Sequence, residues 1–138
     1  MTGRYEHSID EKGRLFIPAK LREELGSVFY LAVGVKENLT IYPMEAWNKL
    51  RERVSALTTA QAAAMDVFFA SAYRCEPDKQ WRIQVPSDLR EYAKIDRDVV
   101  ITGNNDRAQV WSAEKWAEKA KAELKPANIA ALMDSLGI

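Results

Sequence analysis

Asp10 and Arg14 stand four positions apart in "IDEKGRL", and Asp78 and Arg82 stand at the same spacing in "PDKQWRI". An acid and an arginine that straddle three residues sit where the two arms of a tight loop meet. The carboxylate can accept bonds from loop amides and hold the guanidinium in one direction. A loop of this length usually ends in a residue with positive φ, a role for which Gly13 is suited. An exposed pair adds little stability, so its use is to aim a rigid donor fork outward. That planar fork matches phosphate oxygens or the O6/N7 edge of guanine. Lys12 and Lys79 lie inside the loops; Arg4, Lys20 and Arg22 gather near the first, and Arg74 and Arg90 near the second. An incidental ion pair on a solvated turn would explain one such loop. Two copies favour a function.

Other chemistry finds little support. The one histidine, His7, sits beside Glu6 on an alternating stretch without the partners a general base needs. Cys75, between "AYR" and "EP", lacks the basic surroundings of a reactive thiolate and reads as a buried structural thiol. It can form neither an internal disulfide nor a cysteine zinc cluster alone. No glycine-rich phosphate loop is present. The expected class is therefore non-enzymatic, with no cofactor and no metal.

The loops belong to a repeated unit. Asp10, Arg14, Pro18, Leu21, Arg22 and Glu23 recur as Asp78, Arg82, Pro86, Leu89, Arg90 and Glu91. After one extra residue the match resumes, with Ile41, Tyr42, Glu45 and Trp47 meeting Val110, Trp111, Glu114 and Trp116. Agreement through successive elements in order marks an internal duplication. In the first copy "YEHSI" alternates as a half-buried strand, and "LFIP" is its return strand. Pro18 opens a helix over "AKLREEL" that Gly26 stops. "VFYLAVGV" and "LTIY" make a second hairpin around Lys36, Glu37 and Asn38. A helix after Pro43 then places Trp47, Leu50, Val54 and Leu57 on one stripe. Trp47, Trp111 and Trp116 are expected to pack in the core. The organisation expected is a first repeat over 1–57, a connecting helix over 58–73, a second repeat with its closing helix over 74–125, and a C-terminal helix over 126–138. Asn128 is expected to cap the last helix, whose apolar face is Ile129, Leu132, Met133 and Leu136.

With 138 residues, 47% of them hydrophobic, the chain can build a real core. Twenty basic and twenty acidic residues cancel, which argues against a uniformly positive coat but not against charges segregated on one face. No apolar run approaches the ~20 residues that cross a bilayer, and "MTGRYEHSID" has charges where a signal peptide needs an apolar stretch. A cytoplasmic protein without membrane contact is expected.

"IDEKGRLFIPAKLREELG" resembles the hairpin of the AbrB-type swapped-hairpin DNA-binding fold. The duplicated form, with "YEHSIDEKGR", "YPMEAW", "CEPDKQWRI" and "VWSAEKW" in order, resembles the MraZ family of bacterial transcriptional regulators from about Tyr5 to Lys119. The resemblance implies an α+β fold of two pseudo-twofold, βαβ-containing repeats with flanking helices, assembled as a homo-oligomeric ring. It implies a nucleoid-associated, sequence-specific regulator that acts as a repressor on closely spaced short repeats of double-stranded DNA upstream of its own operon. Its motif falls on Asp10 and Arg14, and on Asp78 and Arg82. Helix arginines in the wider fold suggest Arg22 and Arg90 as further DNA contacts. Trp81 departs from the family, which has glycine there. A β-carbon at positive φ costs ~1–2 kcal/mol, so the second tip is either a different turn or a strained one, and Trp81 a contact to protein or to DNA. Two other readings remain at this point: an antitoxin-like DNA-binding module that neutralises a toxin, and a ring-forming scaffold without DNA.

Overall fold

The computed structural model describes residues 1–138. The opening strand β1 (Arg4–Ser8) and the strand after the first tip, β2 (Arg14–Phe16), do not pair with each other. The expected hairpin is instead shared between the halves. β1 pairs antiparallel with β7 (Asp98–Asn104) of the second half, and β5 (Tyr73–Cys75) pairs with β3 (Phe29–Val33) of the first. β2 pairs with β6 (Arg82–Gln84) to make a separate two-stranded ribbon. With β4 (Leu39–Pro43) and β8 (Arg107–Ser112), the large sheet runs in the order β1-β7-β8-β4-β3-β5.

The pseudo-twofold can be read from the register. In the large sheet Thr40 faces Gln109, flanked by Leu39 opposite Val110 and Ile41 opposite Ala108. In the ribbon Leu15 faces Ile83, flanked by Arg14 opposite Gln84 and Phe16 opposite Arg82. Each pairing maps onto its neighbour when the halves are exchanged, so one axis passes through both central pairs. Alternation then decides what is buried. Leu15, Ile17, Ile83 and Val85 point into a core that also holds Leu21, Leu89, Phe29 and Ile101 from both halves. Neither half can bury its apolar face without the other's strands.

The helices differ more from expectation. Pro18 leads into a 3-10 turn (Ala19–Leu21) followed by a single α-helical turn, α1 (Arg22–Leu25), closed by Gly26 at φ 77°. α2 (Met44–Ser55) buries Trp47 between Tyr30, stacked at 4.4 Å, and Tyr42 at 5.4 Å. The segment expected as one connecting helix is two, α3 (Thr59–Ala63) and α4 (Asp66–Ser71). Thr58 and Gln61 form a capping box at the start of α3. The bend at Ala64 and Met65 swings Phe68 and Phe69 onto Trp47, at 6.1 and 5.7 Å. α5 (Ser87–Tyr92) is the second half's counterpart of α1. α6 (Ala113–Glu123) and α7 (Pro126–Ser135) end the chain. Asn128 does not cap α7. Pro126 already opens that helix, and Asn128 Nδ2 donates back to the carbonyls of Ala122 and Glu123 at the end of α6. No helix is long and apolar enough to cross a membrane.

Candidate nucleic-acid interface

The two tips are built alike to the level of single bonds. At the first, Gly13 N donates to Asp10 O and Asp10 N to Arg14 O, both at 3.0 Å. Asp10 Oδ1 accepts from the amides of Lys12 and Arg14, each at 2.9 Å, and Oδ2 accepts from Arg14 Nε at 2.8 Å. At the second, Trp81 N donates to Asp78 O at 2.9 Å, Asp78 Oδ1 accepts from Gln80 and Arg82 amides at 2.8 and 3.0 Å, and Oδ2 accepts from Arg82 Nε at 2.9 Å. Each carboxylate thus ties the loop with one oxygen and aims an arginine with the other. Each clamp engages only Nε, which leaves the two Nη groups as an outward fork.

The bonds also set the titration of the acids. Asp10 is held below the ordinary carboxylate range first by the Arg14 amide, with desolvation opposing it and the Arg14 guanidinium and the Lys12 amide adding to the lowering. Asp78 is lowered in the same way, first by the Arg82 amide. A depressed folded pKa means that each clamp's contribution to stability is fully present above the unfolded value and is lost as pH falls through the folded one. Both carboxyl carbons should therefore titrate below 3.8 in an NMR pH series. A midpoint at or above 3.8 would show the clamps open in solution.

The ribbon places the tips at its two ends. Val85 N donates to Gly13 O and Ile17 N to Trp81 O, both at 2.8 Å, so each tip is fastened to the other half's strand. Gln84 Nε2 also donates to Lys12 O at 2.7 Å. Because Leu15 and Ile83 face inward, Arg14, Phe16, Arg82 and Gln84 share the outer face. Arg14 and Arg82 are diagonal neighbours there, with Cα atoms about 7–8 Å apart by ordinary sheet geometry. Lys12 and Lys79 are exposed in the loops, and Arg4 is exposed at the start of β1, beside Arg14 in the same groove.

Arg22 and Arg90 serve the scaffold. Arg22 Nε donates to Ile17 O at 3.0 Å, and Arg90 Nε to Val85 O at 3.1 Å, fastening each ribbon strand to the helix that follows it. The Arg22 guanidinium also lies over the Trp81 ring, 5.2 Å from its centroid. Trp81 keeps the turn that Gly13 makes, at φ 59° against 76°. Its ring is half-buried against the core rather than projecting from the tip.

Residues 1–67 and 68–134 each match the family described as "MraZ protein, putative antitoxin-like". The chain belongs to the MraZ family. It is 44% identical, over the whole chain and 99% of the relative, to the transcriptional regulator MraZ of Caldanaerobacter subterraneus subsp. tengcongensis. It is 49% identical to that of Heliobacterium modesticaldum, over 84% of this chain and 83% of the relative. The relative from Halothermothrix orenii is 43% identical over 99% of this chain and 98% of its own. The duplication read from the sequence is thus two copies of the MraZ unit, and the fold is α+β.

Within an MraZ chain, tryptophan at the second tip sets strain against packing. Trp81→Gly relieves ~1–2 kcal/mol of backbone strain. It also removes about 100 Å² of buried ring, worth ~2.5 kcal/mol, and a cation–π contact worth ~0.5–1 kcal/mol. The expected net effect is a loss of about 1–2.5 kcal/mol of stability, read from urea midpoints. A rise in stability would mean that strain dominates.

The remaining titratable candidates are unsuited to reaction. His7 is lowered by burial and then by the charge of Arg22, and burial pushes the Cys75 thiol up to about 11. Gln84 bridging to the first tip escaped the sequence reading, having no local signal. Trp47 and Trp111 are buried as expected, but Trp116 is only half-buried, on the flank of Trp111, with an unpartnered indole N–H.

Proposed function

We propose that this MraZ chain is a sequence-specific DNA-binding transcriptional regulator that reads duplex DNA with its β2–β6 ribbon. The observation that carries this reading is the pair of identical clamps, which aim two arginine forks from one exposed face. The major groove, about 12 Å wide, admits a two-stranded ribbon, and arginine there binds guanine O6/N7. Each fork is turned toward the Asp of its own tip, so the two arginines would address separate bases rather than one. Arg14 and Arg82 read bases, while Lys12, Lys79 and Arg4 contact phosphates. Arg22 acts by holding its strand and retains its Nη groups for a phosphate.

One ribbon offers few contacts, so useful affinity requires several ribbons on successive sites. The protein therefore works as a closed homo-oligomer in the cytoplasm, at the nucleoid, on short repeats upstream of its own operon, where it represses. A gel shift on that upstream region, with increasing salt, tests the reading. Binding should be specific and fall steeply with salt as counterions are released. No shift would favour a scaffold, and co-purification of a small toxic protein would favour the antitoxin reading. Light scattering at micromolar concentration should give several times the mass of one chain. A monomer would end the oligomer reading.

A further inference from the structure

The two halves share a fold but not a covering. In the first half Tyr30 faces Tyr42 across β3 and β4, Trp47 of α2 lies on both rings, and Phe68 and Phe69 of α4 close the stack from outside. In the second half Val100 faces Trp111 across β7 and β8, and Trp116 of α6 lies on Trp111 at 5.6 Å. The helix that follows, α7, stays exposed and does not fold back to play the part of α4. The place is an open groove of about 820 Å³ between β1 and α6, with Phe16, Val99, Val100, Trp116, Ala117 and Ala120 along it. Trp116 lies along it, with its indole N–H buried and without an acceptor. The groove is the vacant twin of a slot that this fold fills with an apolar helix.

The same chain carries an apolar helix with nowhere to pack. Every residue from Lys121 to Ile138 is exposed. In α7 Ile129, Leu132, Met133 and Leu136 lie on one face, and Asp134 is its one charged side chain. A helix of ten residues is marginal in water without tertiary packing. Asn128 ties the start of α7 to the end of α6, and no residue of α7 is buried against its own body.

We infer that α7 of one copy docks in the β1–α6 groove of the next. This rests on the homo-oligomer reading above and names its joint. Helix and groove are unlike surfaces, so the contact is head-to-tail and each copy gives one helix and receives one. The arriving helix takes the position α4 holds in the first half. Asp10 and Arg14 stand at the mouth of the same groove, so assembly and the first tip share a surface.

Two single-cysteine additions test the inference, one chain carrying Leu132→Cys and the other Ala117→Cys. Both positions are exposed, and buried Cys75 stays unreactive. On mild oxidation of a mixture, a disulfide joining the two chains is expected, with little linkage when either is oxidised alone. A chain carrying both changes that closes on itself as a monomer would overturn the inference, because α7 would then lie in its own groove. Leu132→Asp gives the second reading. It should reduce the oligomer to single chains at micromolar concentration while the sheet signal in circular dichroism is kept, with helical signal lost from no more than the ten residues of α7. If wild type is oligomeric and Leu132→Asp remains so, this joint is wrong and the homo-oligomer stands. If wild type is monomeric, both fall. Neither readout depends on DNA binding.

Discussion

Arg14→Ala is expected to weaken binding to the upstream repeats by tenfold or more at each ribbon, with the fold unchanged. A bidentate arginine–guanine pair is worth ~1–3 kcal/mol, and about 1.4 kcal/mol is a factor of ten. An oligomer multiplies the loss, because every copy that engages DNA carries the same defect. Stability should hardly move, since the exposed Asp10–Arg14 pair does not support the core. Arg14→Lys separates charge from geometry. Lysine keeps the charge but lacks the planar fork, so specificity should fall while the salt dependence remains. Fluorescence anisotropy on matched and scrambled duplexes reads both effects. A folded Arg14→Ala oligomer that binds as tightly as wild type would end the assignment of the ribbon as the reading surface.

The largest stability effect is expected one residue further on. Leu15 is fully buried and faces Ile83 at the centre of the ribbon, where the pseudo-twofold passes. Leu15→Ala removes buried methyl groups and leaves a cavity that the paired strands cannot close, at a cost of about 3 kcal/mol. For a chain of this length that lowers Tm by roughly 10 °C. Phe16→Ala, its neighbour on the outer face and 45% exposed, should cost less than about 0.5 kcal/mol. The contrast between adjacent residues tests the period-two alternation that puts Leu15 inside and the arginines outside. Equal losses at both positions would mean that the ribbon is not packed as described. Calorimetry on the two variants decides it.

The sequence by itself determined what local chemistry controls. The tip bonds of Asp10, the β3–β4 hairpin and the helix stop at Gly26 all lie within a few residues and were legible as spacing and residue type, and the duplication was legible as the recurrence of that pattern. Arg14 and Arg82 could be picked out for the same reason. What tertiary structure decided was the partner of each element. β1 and β2 read as one hairpin because alternation reports which face is buried, not which strand lies alongside. Pairing β1 with β7 and β2 with β6 buries both halves at once, a gain that no local pattern records. The connecting helix breaks at Ala64 and Met65 because Phe68 and Phe69 gain more on Trp47 than a continuous helix would. Trp81 keeps a glycine's backbone because Arg22 and the core, distant in sequence, hold its ring in place. The open groove beside α6 exists because α7 does not fold back over Trp116 as α4 folds back over Trp47, and only the packed structure shows that difference. Local bonds follow from neighbours along the chain, whereas apolar burial depends on whichever surfaces the folded chain brings together.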